Sequence, residues 1–250
     1  VIRHSFPTRR SSDLYIKNRI KGKINMMNPF PYSDDNKRYH TQNYYLRKRF
    51  GEKVFKISLN GDFTCPNLDG TKGFGGCTYC SSLGSGDFAG NPCDDIPTQF
   101  IKIKEKMEHK WHGKFIAYFQ ANTNTYAPVS RLKELFESAL AQENVVGLSI
   151  ATRADCLQDD AVNYLAELSH RTYLTVELGL QTIHDKTGEH INRCHTYADF
   201  LNGYQKLRDK GINVCVHVIN GLPNETHEKM LETIKEISRL DIHSIKLHLL

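Results

Sequence analysis

Three cysteines, Cys65, Cys77 and Cys80, are the residues whose type and spacing most clearly indicate chemistry in this 250-residue chain. They follow the pattern C-x11-C-x2-C within one loop, and thiolates are the soft ligands that iron–sulfur clusters and zinc sites use. Glycine lets a backbone wrap closely around a bulky inorganic group. The loop contains four glycines, Gly70, Gly73, Gly75 and Gly76. The spacing therefore predicts a metal centre held by this loop.

Two kinds of metal centre fit three thiolates. A structural zinc ion is almost always four-coordinate, and the nearest further thiol, Cys93, lacks a partner at the usual paired spacing. A 4Fe-4S cluster held by only three cysteines leaves one iron open, which S-adenosylmethionine (SAM) could chelate through its amino and carboxylate groups. The spacing favours the cluster and leaves the zinc site as the alternative.

A regular alternation of strand-like and helix-like segments must position this loop. Short apolar runs predict strands at 54–59, 115–119, 145–150, 173–180, 212–219 and 243–249. Segments of helical period predict helices at 96–111, 129–141, 159–168, 197–210 and 225–240. Ser130 is the predicted N-cap of the second helix, and Gly211 is the predicted left-handed stop of the fourth.

Six β/α units with short connections predict an α/β fold with a parallel sheet covered by helices. The strands read as continuous apolar runs, as expected where both faces are buried. An open doubly wound sheet and a partial (β/α) barrel both fit this pattern, and periodicity does not choose between them. In either fold the active-site loops follow the strands, and the cysteine loop directly follows the first strand.

Polar side chains follow the next predicted strands, where ligands gather in such folds. Gln120 and Asn122 lie in an uncharged polar run, which could instead be a loop of satisfied amides. Arg153 and Asp155 are either a plain ion pair or ligand-facing groups. Glu177 interrupts an apolar strand, and a buried carboxylate is costly unless paired, so a functional role is favoured.

Three further residues within or beside apolar runs predict structure rather than chemistry. His217 is interpreted as a core histidine more readily than as a ligand. Cys156 and Cys215 are interpreted as buried structural thiols.

The cysteine loop, with segment 84–90 after it and segment 38–51 before it, resembles the Elp3-like branch of the radical SAM superfamily. The subgroup it resembles is the bacterial one with a long first cysteine spacing, and the likeness runs from about residue 37 to residue 250. The resemblance implies a partial (β/α)6 barrel of the TIM type, with a 4Fe-4S cluster on Cys65, Cys77 and Cys80. It also implies reductive cleavage of SAM to a 5′-deoxyadenosyl radical that abstracts a substrate hydrogen.

The same resemblance implies a SAM site at the strand ends, formed by Gln120, Asn122, Glu177, Gln181 and Arg193. Among these, Arg193 could pair in bidentate fashion with the methionyl carboxylate. The family pattern Asn-Arg-Gly-His is Asn-Arg-Cys-His at residues 192–195, which puts the local backbone geometry in question. The cysteine in this pattern, Cys194, is not expected to be a fourth cluster ligand, and no residue is assigned a catalytic role.

Basic residues are concentrated near the start of the chain. Residues 1–50 carry twelve Lys or Arg against three Asp or Glu, whereas the other 200 carry 21 against 25. A basic arm suggests a polyanionic partner, since cations hold phosphates while neighbouring aromatic rings stack on unpaired bases. The alternative is a solvated amphipathic helix that packs on the barrel. The candidate RNA contacts are Lys37, Arg38, Arg47, Lys48 and Arg49.

The resemblance further implies a transferase that modifies the C5 side chain of a wobble uridine in tRNA. It also implies a reducing partner such as flavodoxin or ferredoxin. Two other functions stay open: a radical SAM oxidoreductase acting on a small molecule, and a binding module that holds zinc or a cluster without catalysis.

We expect three parts along the chain. Residues 1–14 resemble a translated sequencing adapter or a disordered tail, residues 15–52 are the basic segment, and residues 53–250 are the radical SAM core. The core is expected to be incomplete at its C-terminus because segment 243–249 reads as a buried strand with no cover. No apolar run approaches the roughly 18–20 residues of a membrane span, so no membrane association is expected. Seven cysteines without an export signal predict a cytoplasmic protein.

Overall fold

The computed structural model describes Phe30, residues 37–108 and residues 112–250. The chain divides into two compact units, with the boundary between Tyr45 and Leu46. Within the described part of the first unit, the Arg38 guanidinium lies 5.7 Å from the centre of the Phe30 ring. The predicted adapter-like tail, 1–14, lies outside the described residues.

Six strands alternate with helices along the chain. The strands are β1 (Val54–Leu59), β2 (Lys114–Phe119), β3 (Val145–Arg153), β4 (Tyr173–Gln181), β5 (Asn213–Asn220) and β6 (Ser244–Leu249). The helices are α1 (Gln42–Phe50), α2 (Ile96–Glu108), α3 (Val129–Leu140), α4 (Asp159–Arg171), α5 (Asp185–His190), α6 (Tyr197–Asp209) and α7 (His227–Ile237). A 3₁₀ turn, Ala154–Cys156, follows β3.

All six strands are parallel, and their order in the sheet is β1-β2-β3-β4-β5-β6. A doubly wound sheet would reverse its order at a switch point, whereas a barrel adds each strand beside the previous one. The sequential order therefore selects the partial (β/α)6 barrel over the doubly wound sheet, and the predicted barrel is confirmed.

The two faces of the sheet differ in polarity, which corrects the expectation of uniformly apolar strands. In β5, Val214, Val216 and Val218 belong to the core between the sheet and the helices. Their neighbours Cys215 and His217 point to the opposite, inner face, because successive strand residues alternate. Alternation holds the apolar core outside the half-barrel and leaves its inner wall polar.

Helix ends mostly agree with the predictions, with one clear correction. Ser130 is not an N-cap, because α3 begins at Val129 after Pro128, and no side chain caps it. Gly211 does follow α6 in the left-handed conformation, at φ +68°, as predicted. Helix α5 was not among the predicted elements, whereas α1 lies where the sequence allowed an amphipathic helix as one alternative for the basic stretch. Residues 109–111 of the first predicted helix segment lie outside the described residues.

The last strand was predicted to be buried, and its outer face is not. Ile245, Leu247 and Leu249 are exposed on that face. Within the described ranges, no helix combines the length and apolar character needed to cross a bilayer.

Candidate functional site

The three loop cysteines open into one cavity of about 570 Å³. The cavity lies against the inner wall of the half-barrel and is lined by residues of the cysteine loop and of all strands from β2 to β6. Cys65, Cys77 and Cys80 are free thiols, and Cys77 is buried. Residues that are far apart in sequence thus meet at one site.

Hydrogen bonds around the thiols favour a thiolate. The side-chain amide of Asn67 donates to Cys77 Sγ at 3.4 Å, and Ser85 Oγ donates to Cys80 Sγ at 3.5 Å. The hydrogen bond from Cys80 is the main cause that lowers the pKa of Cys77 to about 6. Sharing of this proton and burial raise the pKa of Cys80. The pair is therefore prepared to lose one proton easily, as a metal ligand must.

The segment after α5 holds the cysteine loop in place, and sequence reasoning missed this contact. The Asn192 amide donates to the Phe74 and Gly76 carbonyls at 3.0 and 2.7 Å, and Asn67 donates back to the Asn192 carbonyl. A Cβ at Gly73 would lie 2.3 Å from Asn67 Oδ1. The glycine is therefore required by close packing here.

Cys194 has a φ of +58°, the left-handed conformation that favours glycine. The chain therefore keeps the backbone shape of the glycine-containing family pattern with a cysteine in its place. Arg153 supports this shape by donating to the carbonyls of Arg193 and Cys194 at 2.8 and 3.3 Å. Cys194 is not among the residues that line the cavity.

Gln120, Asn122 and Gln181 line the cavity, as their predicted role requires. The Gln120 amide donates to the Ser85 carbonyl and the Asn122 amide to the Phe63 carbonyl, both at 2.9 Å. The Gln181 Oε1 atom is buried and has no hydrogen-bond partner among the described residues. The first two amides thus connect loops, whereas Gln181 offers an unused acceptor.

Arg153 and Asp155 form a bidentate ion pair, with both nitrogen–oxygen distances at 2.9 Å. Arg153 also lines the cavity, so both alternatives left open by the sequence apply to it. Lys72 of the cysteine loop donates to Asp155 at 2.7 Å. Burial alone would raise the pKa of Asp155, but Arg153 and Lys72 outweigh it and lower the pKa to about 2.

Arg193, predicted to contact SAM, is fully buried and does not line the cavity. Its guanidinium donates to the carbonyls of Leu180, Thr182 and His195 at 2.6–2.8 Å. It also pairs with Asp185 at 3.1 Å. In this structure Arg193 is not placed to meet a carboxylate in the cavity, because its donors are directed at the backbone around β4.

Glu177 is buried on the inner wall and is surrounded by cations. It accepts hydrogen bonds from Lys56, Ser149 and His217, the last at 2.6 Å. Burial alone would raise the pKa of Glu177, but His217 and Lys56 hold it well below its ordinary value. His217 also lines the cavity and lies on the polar inner wall, outside the apolar core.

His195 is a cavity residue that was not among the predicted site residues. Both of its ring nitrogens are buried and lack partners within the described part of the chain. Burial, together with the charges of Arg193 and Arg153, lowers its pKa to about 3. The imidazole is therefore neutral at pH 7 and offers one donor and one acceptor.

The remaining predicted residues lie away from the cavity. Cys93 is exposed and absent from the lining, whereas Cys156 and Cys215 are buried as predicted. The five candidate RNA contacts are exposed: Lys37 and Arg38 in the first unit, and Arg47, Lys48 and Arg49 in the second. Arg49 also lies over the Tyr173 ring at 5.0 Å.

Comparison with protein families decides the identity of this site. The family model described as the radical SAM superfamily matches residues 72–237, which include two of the three cysteines and most of the half-barrel. The chain belongs to the radical SAM superfamily. Its Elp3-like character, predicted from the sequence, is supported by the relatives that it matches.

Several relatives match most of this radical SAM chain. Protein YtqA of Bacillus subtilis (strain 168) is 61% identical over 89% of this chain and 70% of its own length. Protein YhcC of Escherichia coli (strain K12) is 40% identical over 81% of this chain and 65% of its own length. The chain thus spans about two thirds of these relatives.

More distant matches lead to the Elp3 group. The tRNA uridine(34) acetyltransferase of Methanocaldococcus jannaschii is 34% identical over 97 residues, 39% of this chain and 17% of that protein. The solved structure of Methanocaldococcus infernus Elp3 with an N-terminal deletion superimposes with a TM-score of 0.57 at 20% identity. It covers 79% of this chain and 46% of that one, and the likeness shows a shared fold.

The cavity fits the cofactors that a radical SAM protein implies. Its donor set is three thiols on a glycine-rich loop, and no other cysteine of the described chain lines it. Three thiolates suit a 4Fe-4S cluster with one open iron and fall one short of a structural zinc site. Gln181 and His195, which carry buried polar atoms without partners among the described residues, line the same cavity.

Proposed function

We propose that this protein is a radical SAM enzyme that holds a 4Fe-4S cluster on Cys65, Cys77 and Cys80. The observation that carries the proposal is the convergence of these three free thiols on one cavity with Gln120, Asn122 and Gln181. When bound, the cluster and SAM would supply a 5′-deoxyadenosyl radical for hydrogen abstraction.

The residues of the chain would bind, orient and shield this chemistry. Asn67 and Ser85 donate hydrogen bonds to the sulfurs of Cys77 and Cys80, and such bonds adjust the reduction potential of a cluster. Gln181 and His195 would bind polar groups of SAM through their unpartnered atoms. Arg193 would act indirectly, since it holds the backbone on either side of Gln181.

We propose a tRNA wobble uridine as the substrate. Support comes from the partial match to a protein named tRNA uridine(34) acetyltransferase and from the exposed basic side chains near α1. Phosphate contacts by such side chains give affinity that falls steeply with salt. An enzyme that acts on a small molecule would instead bind RNA weakly, and its RNA affinity would not fall steeply with salt.

The test of the enzyme proposal is SAM cleavage. The protein is purified without oxygen, reconstituted with iron and sulfide, reduced and given SAM, and 5′-deoxyadenosine is measured. We expect turnover that is lost in Cys77→Ala and kept in Cys93→Ala, a matched control because Cys93 is exposed and outside the cavity. Zinc in place of iron, with no turnover, would establish the binding-module alternative.

A further inference from the structure

Lys246 places a positive charge on the inner wall of the cavity, away from the cysteine loop. It lies in the middle of β6 and lines the cavity together with Tyr118, His217 and His248. The Lys246 ammonium donates to the Tyr118 hydroxyl at 3.3 Å and lies 5.2 Å from the centre of that ring. We name these four residues the Lys246 subsite.

The nearest carboxylate, Glu177, is shared between Lys246 and a second lysine, Lys56. Glu177 Oε1 accepts from Lys56 and Ser149, and Glu177 Oε2 accepts from His217 at 2.6 Å. The distance from Lys246 Nζ to Glu177 Oε2 is 3.8 Å, beyond a hydrogen bond. Lys246 lines the cavity, whereas Lys56, which lies 4.4 Å from the centre of the Tyr118 ring, does not.

The other titratable groups around Lys246 are neutral at pH 7. Burial, with Glu177 adding to it, raises the pKa of Tyr118, and raises that of Cys215 to about 11. Burial lowers the pKa of His217, and lowers that of His248 to about 4. Burial also lowers the pKa of Lys246 itself, and the Glu177 carboxylate opposes this shift. With both lysines protonated, two ammonium groups face one carboxylate, which leaves the wall with one positive charge in excess.

We propose that the Lys246 subsite binds an acidic oxygen group, a carboxylate or a phosphate, carried by the substrate. This inference rests on the proposed function in taking the cavity as the place where substrate meets SAM. An anion would accept hydrogen bonds from Lys246 and from a neutral His248, and it would balance the excess charge. One charge in excess matches a single anionic group.

A metal ion is the competing occupant of this wall. Ligand atoms of Glu177, Cys215 and His217 lie within 4.8 Å of one another, a spacing that a metal could use. However, Glu177 already has three hydrogen-bond donors, and two ammonium groups adjoin it. A divalent cation would have to displace these donors and would add charge to a wall that is already positive, so the anion is favoured.

The test measures binding of small anions to the reconstituted full chain. The thermal midpoint is followed against sodium acetate and against inorganic phosphate, with sodium chloride at equal ionic strength as reference. The midpoint of each variant with added anion is compared with the midpoint of the same variant without it. A change in basal stability therefore does not affect the measured shift. We expect Lys246→Met to need about tenfold more anion for the same shift, the loss of about 1.4 kcal/mol.

Two variants serve as controls for the charge and for the site. Lys246→Arg keeps the charge and should keep the anion response, and Lys235→Met removes an exposed lysine of α7 and should not change it. A stronger response to acetate would indicate a substrate carboxylate, and a stronger response to phosphate a substrate phosphate. Equal responses in the parent and Lys246→Met would overturn the proposal.

A final arm separates the substrate from SAM, which also carries a carboxylate. The titration is repeated with saturating SAM, and the Lys246-dependent response should persist. Its disappearance would assign Lys246 to SAM and overturn the substrate subsite. Because this readout needs no turnover, a protein that binds anions through Lys246 but makes no 5′-deoxyadenosine would contradict only the enzyme proposal.

Discussion

Cys194 occupies a backbone conformation that costs an ordinary residue about 1–2 kcal/mol. Cys194→Gly should remove this strain and add chain entropy of about 0.5–1 kcal/mol to the unfolded state, so the two effects nearly cancel. We expect the unfolding free energy to stay within about 1 kcal/mol of the parent in urea denaturation.

Cys194→Val is the contrasting variant, because a β-branched residue tolerates this conformation least. Its free energy of unfolding should be about 1–3 kcal/mol lower than that of Cys194→Gly. Both variants should keep the parent content of iron per chain, whereas Cys77→Ala should not. Loss of iron in Cys194→Gly would instead make Cys194 a cluster ligand.

Asp155 connects the cysteine loop to the end of β3 through Lys72 and Arg153. Its pKa is about 2 in the folded chain, below the ordinary 3.8, so folding favours the ionised carboxylate. The resulting stability, about 2 kcal/mol, is complete above pH 4 and is lost as the pH falls toward 2.

Denaturation at a series of pH values measures this contribution. Asp155→Asn should flatten the fall in unfolding free energy between pH 4 and 2. The control Asp209→Asn, at an exposed position of α6, should leave this fall unchanged. An unchanged slope in Asp155→Asn would show that other carboxyl groups cause the acid sensitivity.

At the scale of elements, Arg193 joins β4 to the segment that leads into α6. Arg193→Met would remove the guanidinium donor from three carbonyls, two of them in buried hydrogen bonds, and would break the pair with Asp185. We expect a loss of about 3–5 kcal/mol in unfolding free energy. Arg239→Met, which breaks an exposed pair with Glu236, should lose less than about 1 kcal/mol.

The same experiment tests the SAM contact predicted for Arg193. A structural residue changes stability in the absence of SAM. Arg193→Met could instead keep the parent stability and lose SAM affinity. That result would mean that the guanidinium turns toward the cavity when SAM is bound, and it would support the predicted SAM contact.

At the scale of the whole molecule, the uneven charge predicts how RNA would bind. Each phosphate contact lowers the slope of log affinity against log salt by about 0.7–0.9. Arg47→Ala with Lys48→Ala should therefore reduce the magnitude of the slope for tRNA by about 1.5 in filter binding.

The matched control is Lys235→Ala with Arg239→Ala, which removes two exposed charges from the α7 region. An equal reduction in the control would indicate a general charge effect. No reduction in the α1 variant would favour the alternative in which α1 is a solvated helix.

The sequence by itself determined the cysteine loop, the six β/α units and most element boundaries. The physical reason is that hydrophobic period, capping residues and ligand spacing are local properties. Strand β1 agrees with its predicted limits, and β3 differs because Ala151, Thr152 and Arg153 continue the ladder beside β4. Polar residues at a strand end give no local sign that the pairing extends so far.

Only the tertiary structure decided the strand order, the polarity of the inner wall and the direction of each charged side chain. Glu177 meets Lys56 across 121 positions, and Lys246 meets Tyr118 across 128. Arg193, which the family resemblance placed at the SAM site, instead donates to the carbonyls of Leu180 and Thr182 at the end of β4. Such contacts depend on which strands become neighbours, and local patterns do not contain that information.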